Sequence, residues 1–152
     1  MVKKKKPQKS ISNRRARFDY EIKDTLIAGV VLSGAETRAV RQGQADLKGA
    51  FVNVKNGELW LTNTTISGSH LAPISEEDKT RSRKLLLKSR EIKQLIEAKE
   101  QGSTIIPLEI LNSGKYIKIR IAAGVGKKLY DKRATLKARD ADRNIQRYTH
   151  HK

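Results

Sequence analysis

The stretch Ala50–Asn63, AFVNVKNGELWLTN, leaves the chain few options. Asn56-Gly57 is the pair that a two-residue type I′ turn selects, because both central residues need positive φ. Phe51, Val52 and Val54 precede it, and Leu59, Trp60 and Leu61 follow. The segment therefore reads as a tight antiparallel hairpin. A lone hairpin is marginal in water and needs further strands or a helix over its apolar face.

Further strands are available. In ARFDYEI, Phe18, Tyr20 and Ile22 alternate with Arg17, Asp19 and Glu21, which predicts a strand. LIAGVVLSG, residues 26–34, predicts a second and mostly buried strand, with Gly29 marking a bend or bulge. AETRAVRQG is ambiguous; Ala35, Ala39 and Val40 fit a helical face that Gly43 could cap. Ile66 extends the hairpin or starts another strand, and SGSHLAPISEED reads as a loop. Leu85, Ser89, Ile92 and Ile96 follow helical spacing, so a helix is expected from about Thr80 to Gly102. STIIPLEIL and KYIKIRIAAG predict a closing pair of strands around Asn112-Ser113-Gly114, with Pro107 at an edge or bulge.

These elements predict a mainly β fold with helices: a small OB-type barrel of about six strands with an inserted helix. The expected organisation is a flexible basic arm over residues 1–12, a barrel over 13–123 and a basic tail over 124–152. Within the tail, Gly126–Arg147 holds eight Lys or Arg against three Asp, and Leu129, Leu136 and Ile145 are almost its only large aliphatics. It has helix-forming composition but little apolar surface to dock on a core.

The formal net charge of +17 works against compactness and points to a polyanionic partner, with nucleic acid ahead of an anionic membrane surface. With no Cys, disulfides and thiolate chemistry are excluded. MVKKKKPQKS lacks the apolar stretch of a signal peptide, and no apolar run approaches the ~20 residues of a membrane span. The expectation is a cytoplasmic chain.

Catalytic residues are scarce. His70 sits in a loop, and His150 and His151 belong to the tail composition. Ser75-Glu76-Glu77-Asp78 fits the approach to a helix N-terminus better than a cation site. GVGKK lacks the glycine spacing and the Ser/Thr of a phosphate-binding loop. No catalytic residue, metal site or cofactor is expected.

The basic clusters carry more information. Asn13, Arg14, Arg15 and Arg17 lead into the first predicted strand. Arg81, Arg83 and Lys84 open the predicted helix, and Lys118 and Arg120 stud the polar face of the last strand. Each alone reads as a solvated face; together they suggest a phosphate-binding surface. Phe18, Tyr20 and Tyr116 serve either as stacking aromatics or as core. An aromatic content of 5% is low for a reader of single strands, which favours folded RNA recognised by shape and backbone.

In order, NRRARFDYEI, GAETRAVRQG, NGELWLTN, TRSRKLLLKSREI and GKKLYDKR resemble the SsrA-binding protein family, also called small protein B or SmpB. The resemblance spans nearly the whole chain, and RKLLL and GKKLYDKR are its most specific parts. It implies an OB-type barrel and a C-terminal tail that is disordered when free and helical on the ribosome. It implies a non-enzymatic, monomeric adaptor that binds the tRNA-like domain of transfer-messenger RNA and meets the stalled 70S ribosome, including small-subunit rRNA. Asn13, Leu86 and Lys118 match positions of the family's RNA contact. Gly126, Lys127, Lys128, Asp131, Lys132 and Arg133 match its tail motif, within which Tyr130 also lies. Phe18 stands where a decoding-centre His is usual, Ile27 where a Glu is, Val125 where a basic residue is, and Lys79 where a Pro is. Other readings are a different RNA-binding OB module, an RNA-processing enzyme, or a basic membrane-surface protein.

Overall fold

The computed structural model describes residues 10–112 and 114–150. Residues 1–9 of the expected arm, and His151, lie outside the described residues. The elements run in the order β1 (Ile11–Ser12), α1 (Arg14–Asp19), β2 (Tyr20–Val30), α2 (Gly34–Arg41), β3 (Ala45–Asp46), β4 (Phe51–Lys55), β5 (Glu58–Thr62), β6 (Thr65–Ile66), α3 (Glu76–Lys79), β7 (Arg83–Leu86), α4 (Ser89–Glu100), β8 (Thr104–Leu111), β9 (Lys118–Gly126) and α5 (Leu129–His150).

Seven strands form one antiparallel sheet in the order β1-β8-β9-β2-β7-β5-β4, and β3 pairs with β6 beside it. The sheet curls until β4 lies against β8, although no ladder joins them. The fold is thus mainly β with helices, an OB-like barrel left open at that seam. The hairpin forms as expected: Asn56 and Gly57 adopt φ of 53° and 71°, and Val52 pairs with Leu61. The inward faces of β5, β7, β8 and β9 supply Leu59, Leu61, Leu85, Ile105, Ile119 and Ile121, and α2 and α4 add Val40 and Leu95.

Several local expectations are corrected. Residues 16–19 are helical, not extended. Asn13 caps α1, its Oδ1 accepting from the Ala16 N–H at 3.3 Å, and the residues that follow, Arg14-Arg15-Ala16-Arg17, are good helix formers. The two strands expected over 16–34 are one strand, β2, bulged between Ile22 and Thr25. Gly29 keeps regular register; a Cβ there would sit 3.4 Å from that of Leu86. Glu76–Lys79 is a separate short helix, α3.

The helix expected from Thr80 breaks in two. Residues 83–86 form β7, with Arg83 and Leu85 buried and Leu86 exposed, and α4 starts at Ser89. Glu91 fixes that start by accepting from the Lys88 N–H at 2.9 Å. Pro107 lies at a register shift of β8, as its missing N–H suggests. The barrel runs past residue 123, since β9 pairs through Gly126 with Tyr20.

A second, smaller cluster of Ala16, Ile106, Leu108 and Ala122 packs α1 onto the outer face of β8 and β9. Small residues permit this approach: a Cβ on Gly124 would come within 3.2 Å of Tyr20 Cβ and the Glu21 carbonyl. The outer face of the sheet is therefore covered at one end and open at the other.

Candidate nucleic-acid interface

On the open end, alternation along β2, β7 and β9 turns Ile27, Leu86, Lys118 and Arg120 outward. Gly29 pairs with Lys118 on one side and Leu86 on the other, and Ile27 pairs with Arg120. Leu86 is 53% exposed and Ile27 49%. Lys118 is exposed and has no ion-pair partner among the described residues. Arg120 donates to Glu109 at 2.7 Å and Lys84 to Glu58 at 2.7 Å. The face is a mosaic of half-exposed aliphatics and cations, suited to the sugar edges and phosphates of a folded RNA.

A second basic area surrounds α1. Arg14, Arg15 and Arg17 are exposed, and Arg15 reaches Asp19 at 3.3 Å. Asn13, the preceding residue, is buried: its Nδ2 donates to the Pro107 carbonyl at 3.0 Å and its backbone N–H to the Leu108 carbonyl at 2.7 Å. That is a positioning role for α1.

The tail motif begins against this helix. Gly126 ends β9, and the Lys127 N–H donates to the Asp19 carbonyl at 2.8 Å. Lys132 Nζ lies 3.3 Å from Asp19 Oδ1. Farther along α5, the Arg139 guanidinium stands 5.6 Å from the centroid of the Phe18 ring. Lys128, Tyr130 and Arg133 are exposed, while Asp131 is half-buried. Along α5, Leu129, Tyr130, Leu136, Ile145 and Tyr148 all remain exposed, so no buried apolar face holds the helix.

Two of the sequence-predicted cations are internal instead. Arg83 is fully buried, donating Nε to Glu36 Oε1 at 2.9 Å, Nη1 to the Thr64 and Arg81 carbonyls, and Nη2 to those of Asp78 and Lys79. Arg81 grips the same carboxylate through Nε and Nη2 at 2.7 and 2.6 Å. Burial pushes the Glu36 carboxyl up, but the hydrogen bonds from Arg81, the Ser33 N–H and Arg83, with the charge of Arg83, outweigh it and hold the carboxyl below its ordinary value. Burial lowers the basicity of Arg83 and Glu36 offsets part of that; the Glu36 hydrogen bonds raise that of Arg81. This cluster ties α2 to β7 and offers Arg83 no surface for RNA.

The residues missed by sequence reasoning are Arg139 and Glu109. Arg139 was hidden in the tail composition, and Glu109 reads as an ordinary outward strand residue. Among the described residues, no group of three or more His, Cys, Asp or Glu is placed to hold a metal ion.

Residues 10–151 match the family model described as SmpB protein. The SsrA-binding protein of Gloeobacter violaceus is 44% identical over 138 residues, covering 90% of this chain and 91% of the relative. That of Staphylococcus aureus strain JH1 is 43% identical over 153 aligned positions, covering 97% and 96%. The chain belongs to the SmpB family. Among solved structures, a chain from "tmRNA-SmpB: a journey to the center of the bacterial ribosome" aligns with a TM-score of 0.65 and 39% identity, over 79% of this chain and 85% of that one. The SmpB assignment covers both the sheet and α5. No helix among the described residues is long and apolar enough to cross a membrane.

Proposed function

We propose that this chain is an RNA-binding adaptor of trans-translation. It binds the tRNA-like domain of transfer-messenger RNA and delivers it to the A site of stalled bacterial ribosomes, where the nascent chain is tagged and the ribosome rescued. Membership of the SmpB family is the observation that carries this reading, and the relatives named for SsrA binding and the neighbour named for tmRNA and the ribosome support it. The open sheet face with Leu86, Lys118 and Arg120 is its RNA surface. The protein acts in the cytoplasm by positioning RNA and catalyses nothing itself.

The tail supplies the second half. Without a buried face, a helix of this kind is marginal alone in water. α5 orders fully only where it is bound, inside a message-free mRNA channel walled by RNA phosphate. Message already in the channel excludes it by volume and charge, so the tail reports a missing message. A coupled transition of this type gives up affinity for a conditional fit.

The test compares the full chain with one ending after Lys128, which spares all of β9. Binding to transfer-messenger RNA is measured with tRNA as competitor, then tagging on stalled ribosomes. Truncation is expected to keep the preference for transfer-messenger RNA and to eliminate tagging. Replacing Asp131, Lys132 and Arg133 with Ala is expected to do the same. If the preference disappeared with the tail, the division between sheet and tail would be wrong.

A further inference from the structure

The geometry points to a phosphate clasp that α1 and α5 close together. A cleft outside the open sheet face is lined by Arg14 and Arg17 from α1, Arg139 from α5, and Ser12, Leu108 and Glu109. Arg14 and Arg17 are three residues apart and share a helix face. Both are exposed, and neither has a carboxylate partner among the described residues. The one carboxylate in the cleft, Glu109, is already engaged by Arg120 at 2.7 Å. Arg139 is seated over the Phe18 ring at 5.6 Å from its centroid. A stacked guanidinium keeps its N–H edge available for a ligand.

Three guanidiniums around one opening, with their local counter-charge spent, select an anion with several acceptor oxygens. Phosphate fits that requirement, and paired N–H donors favour it over chloride. Glu109 and Arg120 link this cleft to the open sheet face, so an RNA strand lying on Lys118 and Arg120 continues toward the clasp. The ligand is therefore an RNA phosphodiester, an assignment that rests on the RNA-binding function proposed above. The clasp is incomplete without Arg139, so RNA on the sheet face and seating of α5 on α1 are coupled. Phe18 acquires a role here: its ring orients Arg139.

The experiment is a double-substitution cycle in the full chain, with Arg14→Ala, Arg139→Ala and both. Affinity is measured at fixed salt for a transcript of the tRNA-like domain and for tRNA. Amide exchange across α5 is followed with no addition, with RNA and with inorganic phosphate. Each single variant is expected to bind RNA about three- to tenfold more weakly, the size of one exposed charge-assisted contact. The double variant is expected to lose less than the product of the two, and RNA is expected to slow α5 exchange in the intact chain but not in Arg14→Ala. Multiplicative losses, unchanged affinity in Arg139→Ala, or RNA protection of α5 that survives Arg14→Ala would each overturn the clasp. Equal protection by inorganic phosphate at the concentration of the RNA would reassign the cleft to free phosphate and overturn the RNA assignment. Coupling retained with no preference between the two RNAs would sink the functional proposal and leave the clasp; preference retained without coupling would sink the clasp alone.

Discussion

Arg83 and Arg14 are the same residue in similar basic sequence contexts, RSRK and NRRAR, and the fold uses them in opposite ways. Arg83 is enclosed, with its donors spent on Glu36 and four backbone carbonyls. Arg14 stands in an open cleft beside Arg17 and Arg139 without a carboxylate partner among the described residues. The first holds the barrel together and the second is free for a ligand. What separates them is an acid 47 residues away in sequence, Glu36. A cation's role is decided by which counter-charge the topology delivers to it.

The strongest way to break this comparison is Glu36→Gln. The amide keeps the shape but leaves Arg83 charged in the interior, because a guanidinium does not deprotonate in a protein. Removing one partner of a buried pair costs about 3–5 kcal/mol. For a chain of this size that lowers Tm by on the order of 10 °C. RNA preference, measured well below Tm, is expected to stay. A shift of only a degree or two would mean that the carbonyls alone satisfy Arg83. The pH dependence sharpens the point. The folded-state value of Glu36 lies below its ordinary 4.5, so its contribution is complete above that value and is lost as pH falls through the folded one. Thermal melts from pH 7 to pH 3 should show this acid loss in the parent, and a flatter profile in Glu36→Gln.

Asn13→Ala is expected to have a smaller effect. It removes the cap on α1 and leaves the Pro107 carbonyl without its donor at 3.0 Å. Losing such a cap typically costs ~1 kcal/mol, and the buried carbonyl raises the cost toward 2. Urea unfolding reads this directly. RNA affinity is expected to fall only through the seating of Arg14 and Arg17. If stability were unchanged and affinity alone fell, Asn13 would belong with the ligand-facing residues.

The same contrast explains what was legible in the sequence. The hairpin at Asn56-Gly57 was readable because the turn chemistry is local, and the β8–β9 pair because Ile117, Ile119 and Ile121 alternate with Lys118 and Arg120. The RKLL segment was misread because Leu85 also fits the helical spacing of Ile92 and Ile96; the buried guanidinium at Arg83 depends on Glu36 from α2. Residues 16–19 were misread because alternation over a few positions imitates a strand, and the cap at Asn13 was the overlooked local signal. Among site residues, the outward cations of β9 were legible from alternation alone. Arg139 was not, since its position over Phe18 depends on how α5 lies on α1.

The smallest effect separates paired from unpaired cations on one face. Lys118→Ala removes an exposed charge without an ion-pair partner among the described residues, so stability should hold within about 0.5 kcal/mol. RNA affinity should fall, and the slope of log affinity against log salt should drop by about 0.7–0.9, because one neutralised phosphate fewer releases one counterion fewer. Arg120→Ala combined with Glu109→Gln deletes a neighbouring cation together with its 2.7 Å partner and leaves the net charge unchanged. A cation already neutralised by its own carboxylate displaces less of the RNA's ion atmosphere, so this pair should change the slope less than Lys118→Ala does. Equal slopes would show that RNA draws Arg120 away from Glu109 on binding, and the ion pair seen in the free chain would then be a resting arrangement and not part of the recognition surface.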